Sequence, residues 1–197
     1  MPQLEEIIHY LKGIWLLLKG DKRGFDYLDL SASGVWRSFA AILWCLPAMA
    51  VNWAAWRLYY LQTMPEGTTA GLSFILKLAM IDIAAWVLPL VLIAVLAKPL
   101  AYGEILADVI VASNWLSMPI LYAMAIPSAI RLVVPGSGEL AALLSLLALI
   151  VSFTAIFRLM KAIAEHTLLA SALTALSILP PLIIGELLQR ALGLFPG

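Results

Sequence analysis

Between Leu72 and Ala97 the chain carries 26 consecutive residues of which only Lys77 and Asp82 are charged. A run this long and this apolar satisfies the roughly 20 residues that an α-helix needs to cross the hydrocarbon core of a bilayer. Similar runs recur at 35–61, 104–134, 140–160 and 167–192. Composition agrees with them: 63% of the chain is hydrophobic and 12% is charged, and the mean hydropathy is +1.00. Soluble domains are closer to half apolar and a quarter charged. A soluble fold of this size has too little interior for that much apolar surface, and a bilayer removes the need to hide it. The expected fold class is therefore all-α. It is a polytopic membrane helix bundle with five transmembrane helices in residues 35–197, preceded by a cytoplasmic region over 1–34.

That first region has its own pattern. Leu4, Ile7, Ile8, Leu11, Ile14, Trp15 and Leu18 recur at helical spacing, interrupted by Glu5, Glu6, His9, Lys12 and Lys19. The spacing predicts an amphipathic helix from Gln3 to Lys19, too polar to span. Such a helix lies flat at the membrane interface with Trp15 near the headgroups, or it packs on its own bundle. Early acids and an interrupted apolar stretch argue against a cleavable signal. Residues 20–34, GDKRGFDYLDLSASG, read as a linker, with Asp29, Ser31 or Ser33 available to cap the next helix.

Prolines punctuate the spans. Pro47, Pro119, Pro127, Pro180 and Pro181 are candidate hinge residues, because each removes a backbone donor and crowds the preceding turn. Pro89 sits inside the second span. The third segment is long for one straight crossing at 1.5 Å per residue. A surface turn, a kinked span and a tilt are expected there, and residues 104–116 fit either the surface or the membrane. Beyond Met160 the helix of the fourth span is free to continue through RLMKAIAEH. Placing the N-terminus in the cytoplasm puts Lys12, Lys19, Lys22, Arg23, Arg37, Lys98, Arg158 and Lys161 inside. Arg57, Lys77, Arg131 and Arg190 then lie outside, which accounts for all 12 Lys and Arg. Cations gather on the cytoplasmic side of membrane proteins, so the pattern favours an inside N-terminus and an outside C-terminus.

Signatures of chemistry are sparse. The formal net charge is zero, which argues against nucleic-acid binding. No GxSxG, HExxH, GxxxxGK[ST] or GxGxxG pattern occurs. The lone cysteine, Cys45, reads as a small buried hydrophobe. Two separated histidines make a metal site unexpected, and no cofactor is implied. Candidate functional polar residues remain. Asp82 and Glu186 fall inside spans, where a buried carboxylate is costly. They read either as a proton or cation path or as partners in ion pairs, Asp82 with Arg57 or Arg131 and Glu186 with Arg190. Asn52 and Asn114 suit hydrogen bonds across helices. Glu104, Asp108, Glu165 and His166 form a second candidate group on the cytoplasmic side, either a partner or headgroup site or a solvated ion-pair network. Trp36 and Trp56 suit interfacial anchoring. Trp44, Trp53, Trp86 and Trp115 either pack helices or line a cavity, and the sequence shows no polar companions for them.

The middle of the chain runs from VLAKPLAYG into EILADVIVASNWLSMPILYAMAIP. A span, a small loop, an amphipathic start and a span with Pro119 near its beginning resemble the Yip1 family. So do five spans between a cytoplasmic N-terminal segment and a short outside C-terminus. The resemblance covers roughly residues 30–190. It implies a non-enzymatic protein, similar in its compact form to the bacterial members and so placed in the cytoplasmic (inner) membrane. The expected function is membrane organisation, lipid binding or service as an accessory subunit. Membrane lipids are the expected partners, with a larger complex or self-association as further ones. The alternative is a small transporter or channel, which proline-broken helices favour.

Overall fold

The computed structural model describes residues 3–194, so the outermost positions of the two expected regions, 1–2 and 195–197, lie outside it. Seven helices follow one another: α1 Leu4–Leu18, α2 Ala32–Ser38, α3 Ala41–Thr63, α4 Leu72–Ala97, α5 Leu106–Val133, α6 Gly138–Ala164 and α7 Thr167–Ala191. Short 3₁₀ turns at Lys22–Tyr27 and Gly103–Ile105 join them. Five stretches, the combined α2–α3 and α4 to α7, are long and apolar enough to cross a membrane. Their outward faces carry Leu76, Met80 and Val95 on α4, Leu143, Leu147 and Ile150 on α6, and Leu182, Ile183 and Leu187 on α7, all exposed. A water-soluble monomer does not present apolar surface on that scale, and an integral membrane protein does.

The centre of the bundle is α5, which packs against α3 on one side and α6 on the other, while α7 closes against α4 and α6. The two-residue connection between α6 and α7 forces these helices to run side by side in opposite directions. At 28 residues α5 is about 42 Å long, beyond the roughly 30 Å hydrocarbon thickness. Its excess length is used at one end. There α1 lies against the start of α5 and the end of α6, and Ile7, Ile14 and Leu17 join Val109, Ala112, Trp115, Leu159 and Ile163 in one buried cluster. Tyr10 stacks on Trp115 at 4.5 Å between ring centroids. The 3₁₀ turn closes over α1 where two glycines meet. A Cβ on Gly24 would fall 2.5 Å from the carbonyl oxygen of Gly13, and one on Gly13 would fall 2.7 Å from that of Gly24. Side-chain-free positions are required for this approach. Arg37 bonds Glu6 at 2.9 Å, Arg158 donates to the Leu18 carbonyl at 2.5 Å, and Lys22 pairs with Glu165. Within residues 104–116, Val109 to Ala112 and Asn114 to Leu116 are buried in the bundle.

The first span, Ala32–Thr63, holds two helices, α2 and α3. It breaks at Phe39 and Ala40, where Ala40, Ile42 and Leu43 bond carbonyls three residues back. Just before the turn the Ser38 hydroxyl donates to the Val35 carbonyl at 2.7 Å. Conversely, α5 and α7 run without interruption through Pro119, Pro127, Pro180 and Pro181. Membrane helices tolerate proline where neighbours occupy the freed backbone groups. Close to Pro47, the Tyr122 hydroxyl donates to the Trp44 carbonyl at 3.2 Å, one residue beyond the Leu43 carbonyl that the proline leaves without its donor. Ser31 is the cap of α2, its hydroxyl accepting from Gly34 N–H at 3.1 Å. At the far end of the fourth span, α6 continues to Ala164, past residue 160.

Candidate functional site

At mid-height five helices line a half-open cavity of about 330 Å³. All but α3, which contributes Met49 alone, present residues at helical spacing. On α4 these are Asp82, Ala85, Trp86, Pro89 and Leu90, and on α5 Ser113, Ser117 and Ile120, with Asn114 beside them. Met49 of α3, Ile156 and Met160 of α6, and Ser177 and Pro181 of α7 complete the wall. Most of this lining is apolar, crossed by a few polar groups, the usual make-up of a small-molecule site.

The polar groups differ in how they are satisfied. Asn114 is fully buried, and both the nitrogen and the oxygen of its amide are hydrogen-bonded. Its amide donates to the Ser38 hydroxyl at 2.8 Å, and its carbonyl accepts from the Trp86 indole at 2.8 Å. This chain ties α2, α5 and α4 together. Ser117 and Ser177 donate to carbonyls one turn back, Ser113 and Leu173. The Ser113 hydroxyl, by contrast, is buried in the wall without a hydrogen-bond partner.

Asp82 is the only ionisable side chain in the wall. Its Oδ2 accepts from the Trp53 indole at 2.7 Å. The ion pairs expected with Arg57 or Arg131 do not form. Arg57 instead donates to the Ala70 carbonyl at 2.6 Å, and Arg131 lies over the Tyr59 ring at 4.6 Å. Both find partners close by at the bundle end, whereas Asp82 points between helices. Glu186 does pair with Arg190, at 2.5 Å, one turn apart on the exposed side of α7.

A second hollow of about 560 Å³ extends from Asp82 toward the end of the bundle opposite α1. Asn52, Trp53, Tyr59, Ser128, Arg131, Ser145 and Gln189 line it, and it shares Asp82 and Leu121 with the first. The carboxylate thus stands at the junction of two chambers. Trp86 and Trp53 do have polar companions, Asn114 and Asp82, contrary to the reading of the sequence.

Of the candidate group Glu104, Asp108, Glu165 and His166, the last two are neighbours between α6 and α7. Glu165, at the end of α6, lines a hollow with Lys22, Arg158 and Lys161, and the other three are not in that wall. Neither Glu104 nor Asp108 takes part in an ion pair among the described residues. No group of three or more His, Cys, Asp or Glu side chains among the described residues has the arrangement of a metal site. The Lys22 ammonium beside Glu165 holds that carboxyl below its ordinary value.

No protein-family model, curated protein or solved structure matches the chain.

Proposed function

We propose that this is a non-catalytic integral membrane protein that binds a small apolar or amphipathic molecule in the cavity between its helices. The observation that carries this reading is the five-sided cavity itself. An apolar chamber at mid-bundle, with one carboxylate and one unpartnered hydroxyl in its wall, has the character of a binding site. The absence of a converging nucleophile, base and orienting group in that wall supports the non-catalytic part. The cytoplasmic placement of the α1 end rests on its cations, Lys12, Lys19, Lys22, Arg23, Arg37, Arg158 and Lys161. An interfacial position for α1 is supported by the stripe it leaves uncovered. Leu4, Ile8 and Trp15 are each 59% exposed, beside the face that packs on the bundle. The Yip1-like character rests on the hydropathy pattern and the Pro119 context, and it accords with a lipid-binding, non-enzymatic role in a bacterial inner membrane.

Mass spectrometry of the full chain, purified in lipid nanodiscs, tests the reading. A stoichiometric lipid or small molecule retained through purification supports it. Retention of a protein partner alone would instead make this an accessory subunit.

A second reading is favoured by one observation, the junction of the two chambers at Asp82. A path from one end of the bundle to its middle is what a small transporter or channel requires. Asp82→Asn should then abolish flux of the bound compound through proteoliposomes. Unchanged flux in that variant and in Glu186→Gln would remove both residues as carriers.

A further inference from the structure

We infer that the ligand of the central cavity is an organic cation with a compact apolar body, seated with its positive charge on Asp82. This rests on the cavity being a binding site and names the class of molecule it takes. A carboxylate inside a bundle of this kind is costly unless a positive group or several donors face it. Asp82 has one donor, the Trp53 indole on Oδ2, and no hydrogen bond to Oδ1 among the described residues. The protein's own cations at that end are committed elsewhere. Arg57 is held by the Ala70 carbonyl, Lys77 by the Leu192 carbonyl at 2.6 Å, Arg131 by the Tyr59 ring and Arg190 by Glu186. No cation of the chain is left to face Asp82, so a positive partner for its ionised form has to come from a ligand.

The remainder of the wall defines the rest of the ligand. Met49, Ala85, Leu90, Ile120, Ile156 and Pro181 are apolar, the Ser117 and Ser177 hydroxyls are donated to backbone carbonyls, and Ser113 alone keeps an unpartnered hydroxyl, so the wall has no cation for an anion and no second carboxylate for a divalent metal ion. With Asn114, Ser117 and Ser177 already hydrogen-bonded, a hydrated inorganic cation would meet one carboxylate and the Ser113 hydroxyl, too few oxygens to replace its water. An ammonium carrying alkyl or aryl groups satisfies both halves of the chamber, with its charge on Asp82 and its apolar body against the apolar side chains.

Two isosteres separate charge from shape: benzyltrimethylammonium, and neopentylbenzene, in which carbon replaces the cationic nitrogen. Binding of each is measured by equilibrium dialysis against the full chain in phosphatidylcholine nanodiscs, with uptake by empty discs subtracted. The wild type should bind the cation about tenfold or more tightly than the neutral isostere, as expected of a charge met at contact distance away from water. Asp82→Asn, which keeps shape and size, should bring the two within about twofold through loss of the cation alone. Equal binding of both isosteres by the wild type would overturn the inference while leaving the cavity a binding site, and this comparison needs no variant. A cation preference that survives in Asp82→Asn would overturn it too. If neither compound binds beyond empty discs, the inference and the binding-site reading both fall.

Discussion

Trp53 on α3 donates its indole N–H to the carboxylate of Asp82 on α4 at 2.7 Å, and the bond lies where the two chambers meet. α3 and α4 are consecutive in sequence yet touch only slightly. Long side chains reaching across the gap, rather than close backbone packing, hold them in register. The same gap leaves room for a ligand.

Because this bond bridges two weakly packed helices, its coupling is measurable. A double-mutant cycle of Trp53→Phe and Asp82→Ala, read by reversible unfolding in mixed micelles, should give an interaction of about 1 kcal/mol, the upper range for hydrogen bonds between membrane helices. A value indistinguishable from zero would mean that the indole and carboxylate do not meet.

Asn114 and Ser113 are neighbours with opposite expected costs. Asn114→Leu leaves the Ser38 hydroxyl without its donor and the Trp86 indole without its acceptor in a buried site, so it should destabilise by about 1–3 kcal/mol. Ser113→Ala removes a hydroxyl that has no partner and should be neutral or slightly stabilising. Thermal unfolding of the two variants side by side checks the contrast.

The close approach of Gly13 and Gly24 makes the α1 end sensitive to one methyl group. Gly24→Ala should push the 3₁₀ turn away from α1, with limited proteolysis within residues 20–30 as the readout. Cleavage there should quicken while the rest of the bundle stays protected.

Acid should loosen the same end. The carboxyls of Glu6, Asp21, Asp29 and Glu165 are held below their ordinary values, chiefly by the Gln3 backbone N–H, the Arg23 side chain, the Ser31 hydroxyl and the Lys22 ammonium respectively. A group depressed in the folded state contributes stability above its unfolded pKa and loses it as pH falls through the folded one. The effect should therefore be complete above about pH 5 and fade below about pH 4, where ordinary carboxylates protonate. All four are solvent-exposed or nearly so, which keeps the change small. Hydrogen exchange of α1 amides across that range should rise on acidification, and a rise toward alkaline pH beyond the intrinsic rate would contradict the assignment.

What was legible in the sequence was local or periodic. Span positions follow from hydropathy, Ser31 from its place before a helix, and the Glu186–Arg190 pair from a one-turn separation that any helix brings together. The partners of Asp82 and Trp86 were not legible because they come from other helices: Trp53 is 29 residues from Asp82, and Asn114 is 28 from Trp86. Helical periodicity gives the face of a residue but not which neighbour that face meets. The break at Phe39 was not legible either. It follows Ser38, whose hydroxyl accepts from Asn114 across the bundle while donating to the carbonyl of Val35. The prolines were visible, but the helices run on through them, which the sequence alone does not decide.

The most direct test of the central claim fills the cavity from inside. The full chain and its Ala85→Phe and Ser117→Leu variants are purified in parallel in nanodiscs, and the molecules retained by each are quantified by mass spectrometry. The account predicts a stoichiometric small molecule on the wild type that both folded variants lose, with annular lipid unchanged. Equal retention by all three, or annular lipid alone on the wild type, would contradict it.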